Sequence, residues 1–300
     1  MRPTLNQTGK KRAFTIVELL TVMSIIVILI GLLVPALNKV KRYAYDVKQQ
    51  AQLHAISAAI ELFSNEMGGY PSSTAEDAQG LPYCGAMKLC EALMGQDLLG
   101  FHSNSLFLRT GMDASATTLY PTNIDALSPT LRAQNLSARK GPYLQAENAN
   151  AWRLKDIYGA NVGSFLGTSF VLCDVYQKQM QSGEKTGMPI LYYKADTANT
   201  FHDPNLAGSM TATNANGNIY NYLDNNQLVA LGKPWEGSGA AASTHKLVDP
   251  VRFYTNTQSN KITTANRPFR ADEYILISAG WDNEYGTADD ICNFEWKYKD

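Results

Sequence analysis

The sequence predicts an α+β protein, in which one long N-terminal helix precedes a body of short strands and long loops. Residues 16–37 form a nearly uninterrupted apolar run, and apolar side chains then recur at spacings of three and four as far as Met67, the pattern of one helical face. Later in the chain, short β-branched and aromatic runs alternate with segments rich in Asn, Gly and Ala. Such alternation is typical of strands joined by long loops.

The composition excludes several classes of function. A chain of 300 residues that is 45% hydrophobic has ample material for a globular core. The net charge of −1, with no basic field along the chain, predicts no nucleic-acid partner. The four cysteines fit no zinc spacing and leave two alternatives open, up to two disulfides or buried free thiols: Cys84, Cys90, Cys173 and Cys292.

The apolar run is long enough to cross a membrane. Residues 16–37, at about 1.5 Å per residue, span roughly 33 Å, and their Leu, Ile and Val side chains outweigh a cost on the order of 3 kcal/mol for Glu18. Three interpretations compete: a signal peptide cut after Ala36, a plain signal anchor, and a processed anchor. The continued helix disfavours the first, and the second leaves Glu18 without a role.

The residues around Glu18 carry a family resemblance. Lys-Lys-Arg-Ala-Phe-Thr-Ile-Val-Glu-Leu-Leu, residues 10–20, resembles the leader and cleavage site of type IV pilins and type II secretion pseudopilins, whose usual form is Gly-Phe-Thr-Leu-Ile-Glu. The resemblance implies that a prepilin peptidase removes leader residues 1–13, cuts between Ala13 and Phe14, and methylates the new amine. It also makes Glu18 the assembly carboxylate and Pro35 the helix-kinking proline. Ala13 departs from the usual glycine.

The role of Glu18 also has a physical basis. The new amine of Phe14 is a cation and Glu18 is an anion, and neither tolerates isolation at membrane depth. When helices pack side by side, Glu18 of one subunit can pair with the amine of its neighbour and fix their axial register. The alternative is a carboxylate that reaches into the lipid headgroups.

The resemblance further implies the pilin fold. In that fold a helix over residues 14–68, membrane-spanning at about 16–37, packs on a small antiparallel sheet within a periplasmic domain, here residues 69–300 with large loop insertions. Basic residues are nearly balanced on the two sides of the span, so the resemblance alone sets the orientation. It places the leader in the cytoplasm and makes the protein a single-pass protein of the inner membrane.

Several other elements are predicted from local patterns. The apolar stripe of the helix is expected to pack against the body, with Gln49 and Gln52 among the polar residues off that stripe. Residues 85–96 predict a short amphipathic helix. Strands are predicted at residues 170–176, 190–193, 253–254, 274–278 and 292–296.

An acidic loop follows the predicted strand 274–278. Asp282, Glu284, Asp289 and Asp290 place four carboxylates within nine residues, which either form a solvated turn or bind a hard cation such as Ca²⁺. The loop, residues 276–294, resembles the calcium loop of major pseudopilins. That resemblance implies that Asp282, Asp289 and Asp290, with the carbonyl oxygens of Ala279 and Thr287, bind a structural Ca²⁺.

The remaining motifs predict no enzyme. No nucleotide-binding, serine-hydrolase or zinc-protease motif is present, and the four scattered histidines are expected on the surface or in loops. The resemblance, which covers about the first 70 and the last 30 residues, implies a pseudopilin that assembles with copies of itself and other pseudopilins on the inner-membrane type II secretion machinery. The alternatives are a type IV pilus subunit and a membrane-anchored periplasmic binding domain that does not polymerise.

Overall fold

A computed structural model of the chain describes residues 15–205, 217–236, 243–262 and 264–295. The chain divides into two compact units, Met1–Ala44 and Tyr45–Asp300. The first helix, α1, Ile16–Met67, begins in the first unit and ends in the second, and Pro35 lies inside it. The prediction of a long N-terminal helix is therefore confirmed, and Gly68, with a positive φ of 79°, follows its last turn.

In the first unit, every described residue is exposed. The exposed side chains are mostly Leu, Ile and Val, which a soluble helix would bury. By length and composition this part of α1 is a candidate for a single membrane span.

The second unit is a mixed α+β body. Within the described residues, its α-helices after α1 are α2 (Gly85–Met94), α3 (Pro129–Ser137), α4 (Ala146–Ala149), α5 (Leu154–Tyr158), α6 (Asn226–Val229) and α7 (Pro250–Thr257). Its strands are β1 (Phe101–His102), β2 (Arg139–Lys140), β3 (Ala151–Arg153), β4 (Phe170–Leu172), β5 (Lys178–Gln179), β6 (Lys185–Thr186), β7 (Leu191–Lys194), β8 (Tyr274–Ser278) and β9 (Ile291–Cys292).

All strand pairs among these elements are antiparallel. The largest described sheet has the order β7-β8-β9, and three two-stranded sheets pair β1 with β2, β3 with β4, and β5 with β6. The alternation of β8 divides the core, since Ile275 and Ile277 join one buried cluster while Tyr274 and Leu276 join the other. The central strand is therefore buried on both faces.

The predicted stripe of α1 packs into the second of these clusters. Leu53, Ile56, Ile60 and Phe63 are all buried, and the Phe63 ring lies 5.0 Å, centroid to centroid, from that of Phe101. The stripe prediction is thus confirmed at these positions. Burial of each of these side chains stabilises the fold by about 1.5–3 kcal/mol relative to leaving the side chain exposed.

Two polar residues of α1 are buried, although they lie off the predicted apolar stripe. Gln49 accepts a hydrogen bond from the Val175 N–H (2.9 Å), and Gln52 donates one to the Cys173 carbonyl oxygen (2.9 Å). Both side chains are buried. They bind backbone groups that the short strands leave without a ladder partner.

One strand prediction is wrong. Residues 253–254 lie in α7, which Asp249 caps by accepting a hydrogen bond from the Val251 N–H, with Pro250 in the first turn. Among the other predictions, α2 ends at Met94 rather than at residue 96, residues 274–278 form β8, and β7 begins one residue later than predicted. β4 is shorter than predicted, and β9 includes only Cys292 of the predicted 292–296, whose last residue lies outside the described part of the chain. All four cysteines are free, and three of them are buried.

Candidate functional site

The predicted processing site lies outside the described residues. Ala13 and Phe14 both precede Thr15, where the description begins. Cleavage and methylation there remain predictions from the sequence.

Glu18 has a partner within its own chain. Its Oε2 accepts hydrogen bonds from the N–H of Thr15 (2.9 Å) and from the Thr15 hydroxyl (2.8 Å), while the Glu18 N–H donates to that hydroxyl oxygen (3.2 Å). This reciprocal arrangement is a capping box, which satisfies backbone N–H groups that the first turn leaves without partners. Sequence reasoning missed this role, although the Thr-x-x-Glu spacing indicates it.

The acidic loop joins β8 to β9, and two of its carboxylates lie close together. Asp282 accepts a hydrogen bond from the N–H of Glu284 (2.7 Å), and Asp289 accepts one from the N–H of Asp282 (3.0 Å). The Thr287 hydroxyl donates to Asp289 at 2.8 Å. Partial burial, reinforced by the neighbouring Asp289 charge, raises the pKa of Asp282.

Asp290 is buried beneath the same loop. Its carboxylate accepts hydrogen bonds from the backbone N–H groups of Gly286 (2.8 Å) and Thr287 (3.3 Å). Burial raises its pKa well above the ordinary value, against the lowering effect of those two donors. The buried carboxylate of Asp290 therefore stabilises the turn through hydrogen bonds to its backbone.

Glu284 is separate from this cluster. Its carboxylate forms an ion pair with the Lys233 ammonium at 2.8 Å, and both side chains are largely buried. Three of the four acidic side chains, Asp282, Asp289 and Asp290, are thus left around Thr287.

The fit of the loop to Ca²⁺ is partial in this conformation. Within the described residues, no group of three or more His, Cys, Asp or Glu side chains is arranged to hold a metal ion. The Thr287 carbonyl oxygen accepts the Asp290 N–H at 3.4 Å, and the two oxygens of Asp290 face backbone amides. The carboxylate oxygens of the loop are donors of the kind that suits a hard cation.

Three aromatic rings fix the acidic loop to the start of the second unit. The Trp281 ring lies 5.7 Å from that of Tyr45 and 6.2 Å from that of Tyr176, both edge to face. The Tyr176 hydroxyl donates to Asp46 at 2.6 Å. These residues are far apart in sequence, so no local pattern predicts the group.

The histidine prediction is wrong at His102, which lies buried in β1, whereas His202 and His245 lie in loops and His54 is on the surface. His102, His202 and His245 are buried, and only His54 is exposed. His245 accepts the Tyr285 N–H at its Nδ1, and burial lowers the pKa of His202 and His245 to about 3. Each of these two imidazoles is therefore neutral and part of the core.

A second buried polar group joins Lys88 of α2 and Asp224 to residues 73–76, the segment that follows α1 in the chain. The Lys88 ammonium donates to the carbonyl oxygens of Thr74 and Glu76, both at 2.8 Å, and the Ser73 hydroxyl donates to Asp224. Burial lowers the pKa of Lys88 to about 8 and raises that of Asp224 to about 7. These contacts hold residues 73–76 against the body.

Comparisons of the chain with family models, with curated proteins and with solved structures returned no match.

Proposed function

We propose that this chain is a membrane-anchored structural subunit of the pilin type, a pseudopilin of type II secretion, that assembles by side-by-side packing of its N-terminal helices. The observation that carries the proposal is the division of α1. Its residues in the first unit are apolar and wholly exposed, whereas Leu53 to Phe63 in the second unit belong to a core. An apolar helix without a partner needs a bilayer or neighbouring helices around it.

The proposal includes the processing and placement that the resemblance implies. Prepilin peptidase removes residues 1–13, the anchor crosses the inner membrane once, and the body lies in the periplasm. The partners are copies of this chain, other pseudopilins and the inner-membrane secretion machinery. What supports this part is the residue pattern around Phe14 and Glu18.

Glu18 then serves two roles that substitutions separate. Glutamine also forms a capping box, so Glu18→Gln keeps the local hydrogen bond while removing the charge. Thr15→Ala removes the cap, at a cost of about 1 kcal/mol, and keeps the charge. If the charge aligns neighbouring subunits, assembly depends on Glu18 rather than on the cap.

The test expresses the full chain with a prepilin peptidase in a bacterial inner membrane. Assembly is measured as cross-linked oligomers and as filaments in the sheared fraction, and insertion as resistance to carbonate extraction. We expect Glu18→Gln to insert normally and to lose assembly, and Thr15→Ala to keep both. Mass spectrometry is expected to find a mature chain that begins at methylated Phe14.

Three results would overturn the proposal. Normal assembly of Glu18→Gln removes the register role. Failure of Thr15→Ala alone assigns Glu18 to capping. A chain that keeps residues 1–13 and stays monomeric in the membrane is a plain anchor.

We also propose that the acidic loop binds a structural Ca²⁺ through Asp282 and Asp289, with Asp290 and the carbonyl oxygens of Ala279 and Thr287 as the further ligands implied by the resemblance. Support comes from the proximity of Asp289 to Asp282, since the Asp289 charge adds to partial burial in raising the pKa of Asp282. A bound divalent cation neutralises these charges and holds the loop in one conformation.

A further inference from the structure

A cleft of about 410 Å³ opens on the second unit, and none of its lining residues belongs to the acidic loop. It is lined by α2, by residues from the 95–122 segment, and by β3 and residues 166–170. Two guanidinium groups, those of Arg109 and Arg153, lie in its wall. We refer to it as the arginine cleft.

Arg109 is positioned but incompletely paired. Its backbone N–H donates to Asp77 at 2.9 Å, and its Nη1 donates to the Ser164 carbonyl oxygen at 2.9 Å. Its Nε is buried and has no hydrogen-bond partner in the described part of the chain. A buried Nε is out of reach of a ligand, so an acceptor in the cleft must meet the other nitrogens of this guanidinium.

Arg153 adds a second cation to the same wall. Its guanidinium lies 5.2 Å from the centre of the Phe170 ring. Across the described residues, no carboxylate comes within ion-pair distance of Arg109 or Arg153. A guanidinium group without a carboxylate partner can bind one carboxylate or phosphate group through two parallel hydrogen bonds.

The acidic side chains of the cleft are engaged elsewhere. Asp97 forms two hydrogen bonds with Arg139, at 3.1 and 2.9 Å. Glu91 accepts hydrogen bonds from the Tyr83 hydroxyl (2.6 Å) and from Gln96 (2.9 Å), and burial raises its pKa. Neither carboxylate neutralises the two cleft arginines.

We propose that the arginine cleft binds a small ligand that carries a carboxylate or phosphate group. The Arg109 guanidinium binds the oxyanion, Arg153 supplies the second charge, and the hydroxyl groups of the wall bind the rest of the ligand: Thr110, Thr122, Thr168 and Ser169. The volume is within the range of small-molecule sites. The inference does not depend on helix assembly, and its test measures binding alone.

The experiment uses the full chain in detergent micelles and isothermal titration calorimetry. The probes are inorganic phosphate, glucuronate, and glucose as the uncharged control. We expect both anions to bind, with affinity falling as NaCl is added, and glucose to give no signal. Binding of phosphate alone, or of glucuronate alone, identifies which oxyanion the cleft accepts.

Variants locate the binding in the cleft. Arg109→Gln is expected to weaken anion binding at least about tenfold, and Arg109→Lys to restore part of it, because lysine keeps the charge without the paired donors. Arg153→Gln, at an exposed position, tests the site without disturbing the core. Arg132→Gln is the matched control, since Arg132 is exposed on α3 and pairs with Asp125.

Two outcomes overturn the inference. Either neither anion binds at millimolar concentration, or both Arg109→Gln and Arg153→Gln bind as tightly as the unchanged chain. If Arg109→Gln loses its near-ultraviolet circular dichroism, Arg153→Gln decides the question.

Discussion

Asp174 is a buried carboxyl whose charge state sets a pH dependence of stability. The side chain is fully buried, and its Oδ1 accepts hydrogen bonds from the N–H groups of Tyr176 (3.2 Å) and Met188 (3.1 Å). Its Oδ2 accepts one from the Ser278 hydroxyl at 2.9 Å. Burial outweighs these donors and raises its pKa from 3.8 to about 7.

The sign of the effect follows from this shift. Between about pH 4 and 7 the folded chain keeps a proton on Asp174 that the unfolded chain has released, so the free energy of unfolding falls as the pH rises. Stability from Asp174 is fully present below about pH 4 and is lost by about pH 7. A shift of about three pH units corresponds to at most about 4 kcal/mol.

Asp174→Asn isolates this contribution. The amide oxygen can still accept the two backbone N–H groups, and the amide nitrogen can donate to the Ser278 oxygen, so the variant keeps the shape and removes the charge. Urea unfolding of the full chain in nonionic detergent is followed by tryptophan fluorescence from pH 4.5 to 8. We expect the stability of the variant relative to the unchanged chain to increase with pH, by up to about 4 kcal/mol.

Asp224 is present in both the unchanged chain and the Asp174→Asn variant, so its titration cancels when the stabilities of the two are subtracted. The reasoning is refuted if Asp174→Asn is less stable than the unchanged chain by the same amount at pH 5 and pH 8. That result would mean that Asp174 is ionised throughout and that the hydrogen bonds to its charge outweigh the cost of its burial.

Two further predictions concern packing and the acidic loop. Phe63→Ala is expected to lower the free energy of unfolding by about 3–5 kcal/mol, because it opens a cavity in the core, whereas Leu62→Ala on the exposed face is expected to change it by less than about 1 kcal/mol; equal losses would contradict the packing. Millimolar CaCl₂ is expected to raise the melting temperature and a chelator to reverse this. Asp289→Asn should abolish the response while Glu284→Gln keeps it; an unchanged melting temperature would leave the loop a solvated turn.

The elements that sequence reasoning predicted are those with strong local patterns. The stripe of α1 repeats over several turns, α2 carries its apolar side within ten residues, and β8 is a run of five side chains that suit a strand. Each pattern is complete within its own segment. Neighbouring segments therefore have little influence on the assignment.

The features that were missed depend on distant residues or on capping. The aromatic pair 253–254 favours a strand, but Asp249 and Pro250 begin a helix. This helix-start signal outweighs the strand preference of two residues. Gln49 is buried because Val175, 126 positions later, needs an acceptor for its N–H. The arginine cleft likewise joins residues from Tyr83 to Phe170, so no local spacing indicates it.

The position of β8 in the sheet determines when the body is able to fold during synthesis. β8 is the middle strand of its sheet, yet it leaves the ribosome after nearly all other described segments, and its Tyr274 lies against α1 beside Ser57. At synthesis rates of about 5–20 residues per second, roughly 10–40 s separate the appearance of these two segments. Throughout that interval the buried cluster around the α1 stripe lacks Tyr274 and Leu276, so part of its apolar surface stays uncovered until translation is almost complete.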